Sequence, residues 1–173
     1  MTINELRAQA TVPVGDGYHA FAGALYMAPT LEDCEFLYAL VRVTKPGLVV
    51  ETGTGLGVSA TFIATALADN KLGELFTFEP NLEYAAQARE SLRGLPAKVV
   101  TGSYAGRSLK KEPNLVFIDS GVHSRSDEIV DWLKSEYKGL VCIHDANRDY
   151  SGTAYGTGVF LPGSDGLWLG RAK

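Results

Sequence analysis

The sequence predicts an α/β domain built on a doubly wound, mostly parallel sheet of seven strands with an antiparallel hairpin at its C-terminal edge. Three observations carry this expectation. Short apolar runs alternate with helical patterns along most of the chain, which is the order of a parallel sheet with crossover helices. One run, Leu48 to Val50, ends in Glu51 and passes into three glycines at alternate positions, Gly53, Gly55 and Gly57, before a helical pattern begins. The last two apolar runs are joined only by Pro162 to Gly166, a hairpin composition.

The elements follow in order. Residues 1–28 mix glycines with aromatics and are read as an N-terminal cap segment, ahead of the α/β domain over residues 29–173. Thr30 caps the next helix, with Asp33 three residues on and Cys34, Leu37, Tyr38 and Val41 as its apolar face; Lys45-Pro46-Gly47 ends it. The first strand and its glycine loop lead into a helix from Val58 to about Leu67. Glu74 to Glu79 is the second strand, and a helix from about Leu82 to Arg93 is expected to pack through Leu82, Ala85, Ala86 and Leu92. Lys98 to Thr101 and Asn114 to Asp119 are the third and fourth strands. Ser124 is the expected cap of a helix with a buried stripe of Ile129, Val130, Leu133 and Tyr137, closed by Gly139. Leu140 to Asp145 is the fifth strand, and Gly158–Leu161 and Leu167–Leu169 form the terminal hairpin.

The glycine loop marks a ligand site. Glycines permit a sharp turn and let bare backbone approach a ligand. The helix that follows aims its first amides into the same crevice, at the carboxyl ends of the strands where open α/β sheets bind ligands. The dinucleotide fingerprint G-x-G-x-x-G is not met, because the third glycine arrives one position early. Glu51 would oppose a pyrophosphate and suits a cation. Glu79 ends the second strand 22 residues beyond Gly57, where a carboxylate can accept from both hydroxyls of a ribose.

In this context, E-x-G-x-G-x-G resembles motif I of the class I S-adenosylmethionine-dependent methyltransferases, and the resemblance covers about residues 30–173. It implies a Rossmann-like sheet with a reversed last strand, S-adenosylmethionine as cofactor, and Glu79 as the ribose acid. The cofactor-binding candidates are Glu51, Gly53, Thr54, Gly55, Gly57, Ser59, Glu79, Ser103, Tyr104 and Asp119. Among them Gly53, Gly55 and Gly57 are expected along the methionine moiety, and Ser103 and Tyr104 near the adenine. One departure is visible: Ala146 to Thr157 is too polar and glycine-rich for the helix usual between the fifth and sixth strands, so a loop is expected there.

Asp119, His123, His144 and Asp145 gather at strand tips on one rim and are the catalytic candidates. In small-molecule O-methyltransferases similar to catechol O-methyltransferase, an acid at the fourth strand tip and an acid-containing pair at the fifth hold a divalent metal. Asp119 and Asp145 match those positions, while His144 stands where the resemblance calls for an acid. A related group carries Asp-Gly-x-His after the fourth strand and His-Asp after the fifth; this chain reads Asp119-Ser120-Gly121-Val122-His123, one residue longer. Two mechanisms stay open. Either Mg²⁺ or Ca²⁺ on Asp119 and Asp145 ionises the acceptor, or His123 or His144 serves as general base.

Bulk properties narrow the partners. The chain has 173 residues, enough for one full α/β core, and a net charge of −4 with no basic block, which argues against long nucleic acid. Cys34 and Cys142 fall in apolar patterns and read as buried thiols without a disulfide. Met1 to Ala10 lack the apolar core of a signal peptide, and no run reaches membrane-spanning length. The expectation is a cytoplasmic enzyme methylating the oxygen of a small hydroxylated acceptor, with a homodimer left open. The alternatives are a non-catalytic protein that binds S-adenosylmethionine or a nucleoside, and an NAD-linked oxidoreductase, which Glu51 and the glycine spacing disfavour.

Overall fold

A computed structural model describes residues 2–11, 29–104, 109, 111–121, 127–129, 131–133, 136–146, 156–162 and 166–172. A single seven-stranded sheet organises them, in the order β3-β2-β1-β4-β5-β7-β6. The strands are β1 (Leu48–Thr52), β2 (Glu74–Glu79), β3 (Ala97–Thr101), β4 (Leu115–Ile118), β5 (Leu140–His144), β6 (Gly156–Leu161) and β7 (Leu167–Ala172). β1 to β5 pair in parallel, and β7 runs antiparallel to both β5 and β6. The expected fold class is therefore the observed one, with the reversed strand lying inside the C-terminal edge. Both hairpin strands are longer than their apolar runs suggest. Gly156 and Thr157 extend β6 and Gly170 to Ala172 extend β7, and glycine at 158 and 170 leaves room for the Trp168 ring, which a Cβ at either would meet at 2.5 Å.

Among the described residues, the helices bounded at both ends are α1 (Ile3–Thr11), α2 (Leu31–Thr44), α3 (Val58–Asn70) and α4 (Leu82–Ser91). Residues 127–129 and 131–133 are also helical. Thr30 caps α2 as expected, its hydroxyl accepting from the Asp33 amide. The first ten residues of α3 are all buried, and the helix is apolar around its circumference because the sheet lies on one side and α2 on the other. Strand residues alternate between two cores. Val49, Leu75, Leu115, Phe117 and Cys142 meet α2, α3 and Leu92 on one face. Val50, Val116, Ile118, Val141 and Ile143 meet Ile129, Trp132, Leu133 and Tyr137 on the other. Helices on both faces make the sheet doubly wound.

The expected buried face of α4 needs correction. Leu82 is 73% exposed and Ala86 is exposed, while Ala85, Ala88 and Leu92 are buried. Leu82 sits at the first helical position, before the turn that faces the sheet, so the stripe runs 85, 88, 92. α1 lies at the other end of the helical layer, where Leu6 packs with Cys34, Val58 and Phe62. Cys34 and Cys142 are buried free thiols. No helix among the described residues is long and apolar enough to cross a membrane. His123, the Ser124 cap and residues 147–155 lie outside the described residues; of the loop expected over Ala146 to Thr157, Ala146 is helical and Gly156 and Thr157 already belong to β6.

The strand order reverses between β1 and β4, since β2 and β3 lie to one side of β1 and β4 and β5 to the other. The chain diverges at this point and leaves a crevice at the carboxyl ends of the two strands. The glycine loop and Asp119 meet there.

Candidate functional site

The glycine loop is fastened before any ligand arrives. The amides of Gly53 and Thr54 both donate to the Phe78 carbonyl, at 3.0 and 3.2 Å, which ties the loop to β2. The three glycines, expected to share one task, divide the work. Gly53 has φ +85°, and a Cβ there would lie 2.3 Å from the Asp119 carbonyl oxygen. Gly57 caps α3 at φ +91° and presses against Ala88 of α4, with its Cβ position 3.3 Å away. Only Gly55, at φ +52°, faces open space with nothing within 4 Å of its Cβ position. Its amide donates to Glu79 Oε2 at 2.8 Å, and the other Glu79 oxygen accepts from the Asn81 amide at 2.8 Å. Glu79 is thus aimed across the loop at the one position backbone leaves open.

Beneath the loop lies a buried polar knot. Glu51 is 0% exposed and accepts from the Ser59 hydroxyl at 2.6 Å and the Thr77 hydroxyl at 2.5 Å; Thr54 in turn bonds to Thr77. Glu51, Thr54 and Ser59 therefore brace the loop from below. Burial pushes the Glu51 carboxyl up from 4.5 to about 8, against the two hydroxyls that favour its charged form and with help from the negative charges of Asp119 and Glu79. A carboxyl raised on folding favours the folded state while it holds its proton. That contribution is complete below 4.5 and is lost as pH rises through about 8. Glu51→Gln is accordingly expected to gain melting temperature on the parent protein steadily between about pH 5 and about pH 9. Parallel pH profiles of the two would refute the raised value.

Across the switch point, three carboxylates converge on one ring, that of His144. His144 Nδ1 donates to Asp119 Oδ1 at 2.9 Å, and Asp145 Oδ1 lies 3.7 Å from the same nitrogen. On the far side, Asp33 Oδ2 lies 3.8 Å from His144 Nε2. Asp33 comes from the first turn of α2, where the Thr30 hydroxyl donates to it at 2.8 Å. Burial would lower the imidazole's value, but hydrogen bonds to Asp119 and Asp33 and the charges of Asp119 and Asp145 outweigh it and carry it from 6.5 to about 10. A ring protonated to that pH has no lone pair to offer near neutrality, so the general-base role expected of His144 does not fit its surroundings. Asp145, between the end of β5 and the helical Ala146, stands in the left-handed region at φ +57°. Backbone held in this way costs about 1 kcal/mol and concentrates at functional sites.

The expected metal does not fit. Asp119, His144 and Asp145 offer donor atoms within 4.8 Å of one another. Mg²⁺ and Ca²⁺ are held by oxygens, from carboxylates and waters, yet here a ring nitrogen that donates to Asp119 stands within 3.7 Å of both carboxylates.

Two site residues carry little signal in the sequence. Asp33 shows there only as a capping residue. Glu128 was not singled out, yet it is 4% exposed and its Oε2 accepts from Thr52 Oγ1 at 2.6 Å and Ser120 Oγ at 2.7 Å, tying together the tips of β1 and β4. Both carry the same signal: an acid in line with a helix's apolar stripe, Asp33 with Leu37 and Val41, Glu128 with Trp132. The adenine-side candidates lie just beyond β3, where Ser103 is exposed. Tyr104 is half-buried there, its ring 5.3 Å from Phe78 and 5.1 Å from Trp132.

A family described as a methyltransferase domain matches residues 50–146, from the end of β1 through the rim residues Asp119, His144 and Asp145. The chain belongs to this family. The match spans more than half of the methyltransferase's length and removes the NAD-linked alternative. The solved structures it is similar to include the O-methyltransferase of Bacillus cereus in complex with S-adenosylhomocysteine, at 18% identity and a TM-score of 0.72, covering 99% of this chain and 90% of that one. A Podospora anserina methyltransferase bound to S-adenosylhomocysteine gives 17% identity and a TM-score of 0.70 over 99% of this chain and 87% of that one. The Streptomyces achromogenes O-methyltransferase of tomaymycin synthesis, in complex with S-adenosylmethionine, gives 18% identity and 0.67 over 96% and 94%. At these identities the likeness establishes the fold. No curated protein matches the chain.

Proposed function

We propose that this methyltransferase uses S-adenosylmethionine and transfers its methyl group to a hydroxyl of a small acceptor. The single observation that carries the cofactor assignment is the pairing of Gly55 and Glu79. A glycine with empty space where its Cβ would be stands 2.8 Å from a buried carboxylate, at the switch point of the sheet. That cradle suits backbone approach to the methionine portion and a carboxylate on the ribose. Solved structures of the same fold hold the same cofactor or its product. Ser103 and Tyr104 stand where the adenine would end. In this reading α1, through Leu6, caps the helical layer at Cys34, Val58 and Phe62.

When bound, the sulfonium supplies an already activated methyl group. The chain's own work is therefore to align the acceptor and to manage its proton. His144 donates to Asp119 and fixes that carboxylate's direction. Asp145, whose side chain is 16% exposed against 5% for His144, is in this reading the group that receives the hydroxyl proton, with His123 as the other candidate. Glu128 locks the β1 and β4 tips on which this alignment depends.

The test is calorimetry with S-adenosylhomocysteine. Binding is expected in the parent protein and a loss of about tenfold to about hundredfold in Glu79→Ala, the worth of charge-assisted hydrogen bonds to a ribose. Unchanged affinity would remove Glu79 from the site, and no binding at all would remove the cofactor assignment.

A further inference from the structure

The metal-binding expectation fails at one residue, and the reason lies outside the sheet. Asp119 and Asp145 stand as an oxygen-rich cation site requires. Between them is His144, whose side chain is only 5% exposed. It is not placed there by its own strand alone. One ring nitrogen donates to Asp119 at 2.9 Å, and the other faces Asp33 at 3.8 Å. Asp33 is held in turn by Thr30, and it is buried beside the ring with 9% of its side chain exposed. The Phe117 ring closes a further side, with centroids 6.4 Å apart. The ring thus has a carboxylate before it and another behind it, supplied by β4 and by the first turn of α2. The ring's Nδ1 lies 2.9 Å from Asp119 Oδ1 and 3.7 Å from Asp145 Oδ1, so the ring takes the space where an ion bridging those two oxygens would stand.

We propose that His144, bracketed by Asp33 and Asp119, stands in the position a divalent cation would take between Asp119 and Asp145, that the enzyme therefore binds no such ion, and that Asp33 is the positioning residue that keeps the ring in place. The geometry carries its own converse. Shortening the ring to a carboxylate in His144→Asp frees its volume and leaves acids at 119, 144 and 145, with Asp33 behind them, around the vacated space. That is a donor set of the kind Mn²⁺ and Mg²⁺ accept.

The experiment uses the protein alone and Mn²⁺ as probe, followed by electron paramagnetic resonance. The parent protein is expected to show no saturable binding below about 1 mM Mn²⁺, and folded His144→Asp one site per chain that disappears when Asp145→Asn is added. A saturable site in the parent protein that is lost in Asp145→Asn overturns the proposal, and so does a folded His144→Asp without a site. A second measurement does not depend on that variant folding. In ¹H–¹⁵N spectra of the histidine rings, the Nδ1 proton of His144 is expected to be slowly exchanging in the parent protein and exchange-broadened in Asp33→Asn; an unchanged signal overturns the bracket. Only the consequence for turnover rests on the methyltransferase reading: EDTA is expected to leave activity intact, and loss restored by Mg²⁺ overturns the proposal. The Mn²⁺ and ring-proton results stand whether or not S-adenosylhomocysteine binds.

Discussion

Gly53→Ala is expected to destabilise the domain by roughly 3–4 kcal/mol, while Gly55→Val, a larger change two residues away, leaves it folded. The difference follows from what each position faces. A methyl at Gly53 would lie 2.3 Å from the Asp119 carbonyl oxygen and 2.8 Å from the Ser120 Cα, so the β4 tip would have to move. That tip cannot yield cheaply, because Asp119 N donates to Thr52 O and Ser120 is bonded to Glu128. The left-handed φ of +85° adds a further cost of about 1 kcal/mol for any residue with a side chain. Against a typical stability of about 5–15 kcal/mol this is a large fraction. At Gly55 the φ cost remains, but the side chain enters empty space. That space is the cradle assigned to the cofactor. Gly55→Val is therefore expected to unfold in urea as one cooperative unit and to lose S-adenosylhomocysteine binding in calorimetry. A Gly53→Ala protein within about 1 kcal/mol of the parent would show that β4 can shift, and full cofactor affinity in Gly55→Val would make the whole loop structural.

Asp145→Asn is expected to lower kcat by about 10²-fold to about 10³-fold with an authentic hydroxylated acceptor, while S-adenosylhomocysteine affinity stays within about twofold. Asparagine tolerates the left-handed backbone at φ +57° as well as aspartate does, so the substitution removes charge and proton affinity without refolding the tip. The cofactor-side contacts, Gly55 and Glu79, lie across the switch point and do not involve it. Near-normal turnover would dismiss Asp145 as the acceptor-side base. Absence of turnover on every hydroxylated acceptor in the parent protein, with cofactor still bound, would favour a binding protein over an enzyme.

Much of this was legible in the chain itself. The boundaries of β2 were predictable to the residue, and Thr30 and Lys45 mark the ends of α2, because caps and strand-end charges are local choices between neighbours. The glycine spacing located the loop, and an acid about 20 residues on located Glu79, because a βα unit has a nearly fixed length. The face of α4 was misjudged at Leu82, since the first turn of a helix can satisfy the periodicity while pointing past the sheet.

What local pattern determined was the alternation of strands and helices, the site of the glycine loop and the identity of the rim residues. What only the tertiary structure decided was their roles. Gly53 and Gly57 look like Gly55 in sequence, but they are constrained by Asp119 and Ala88, which arrive from elsewhere in the chain. In sequence Glu51 suits a cation, but it is sealed beneath the loop by Ser59 and Thr77. In sequence His144 suits a base or a neighbour of metal ligands, but Asp33, more than a hundred residues earlier, makes it a bracketed donor. The physical reason is common to all three. The charge state and contacts of a buried polar group depend on which other polar groups share its low-dielectric surroundings, and those neighbours are chosen by the packing of α2 and the crossing of the chain between β1 and β4.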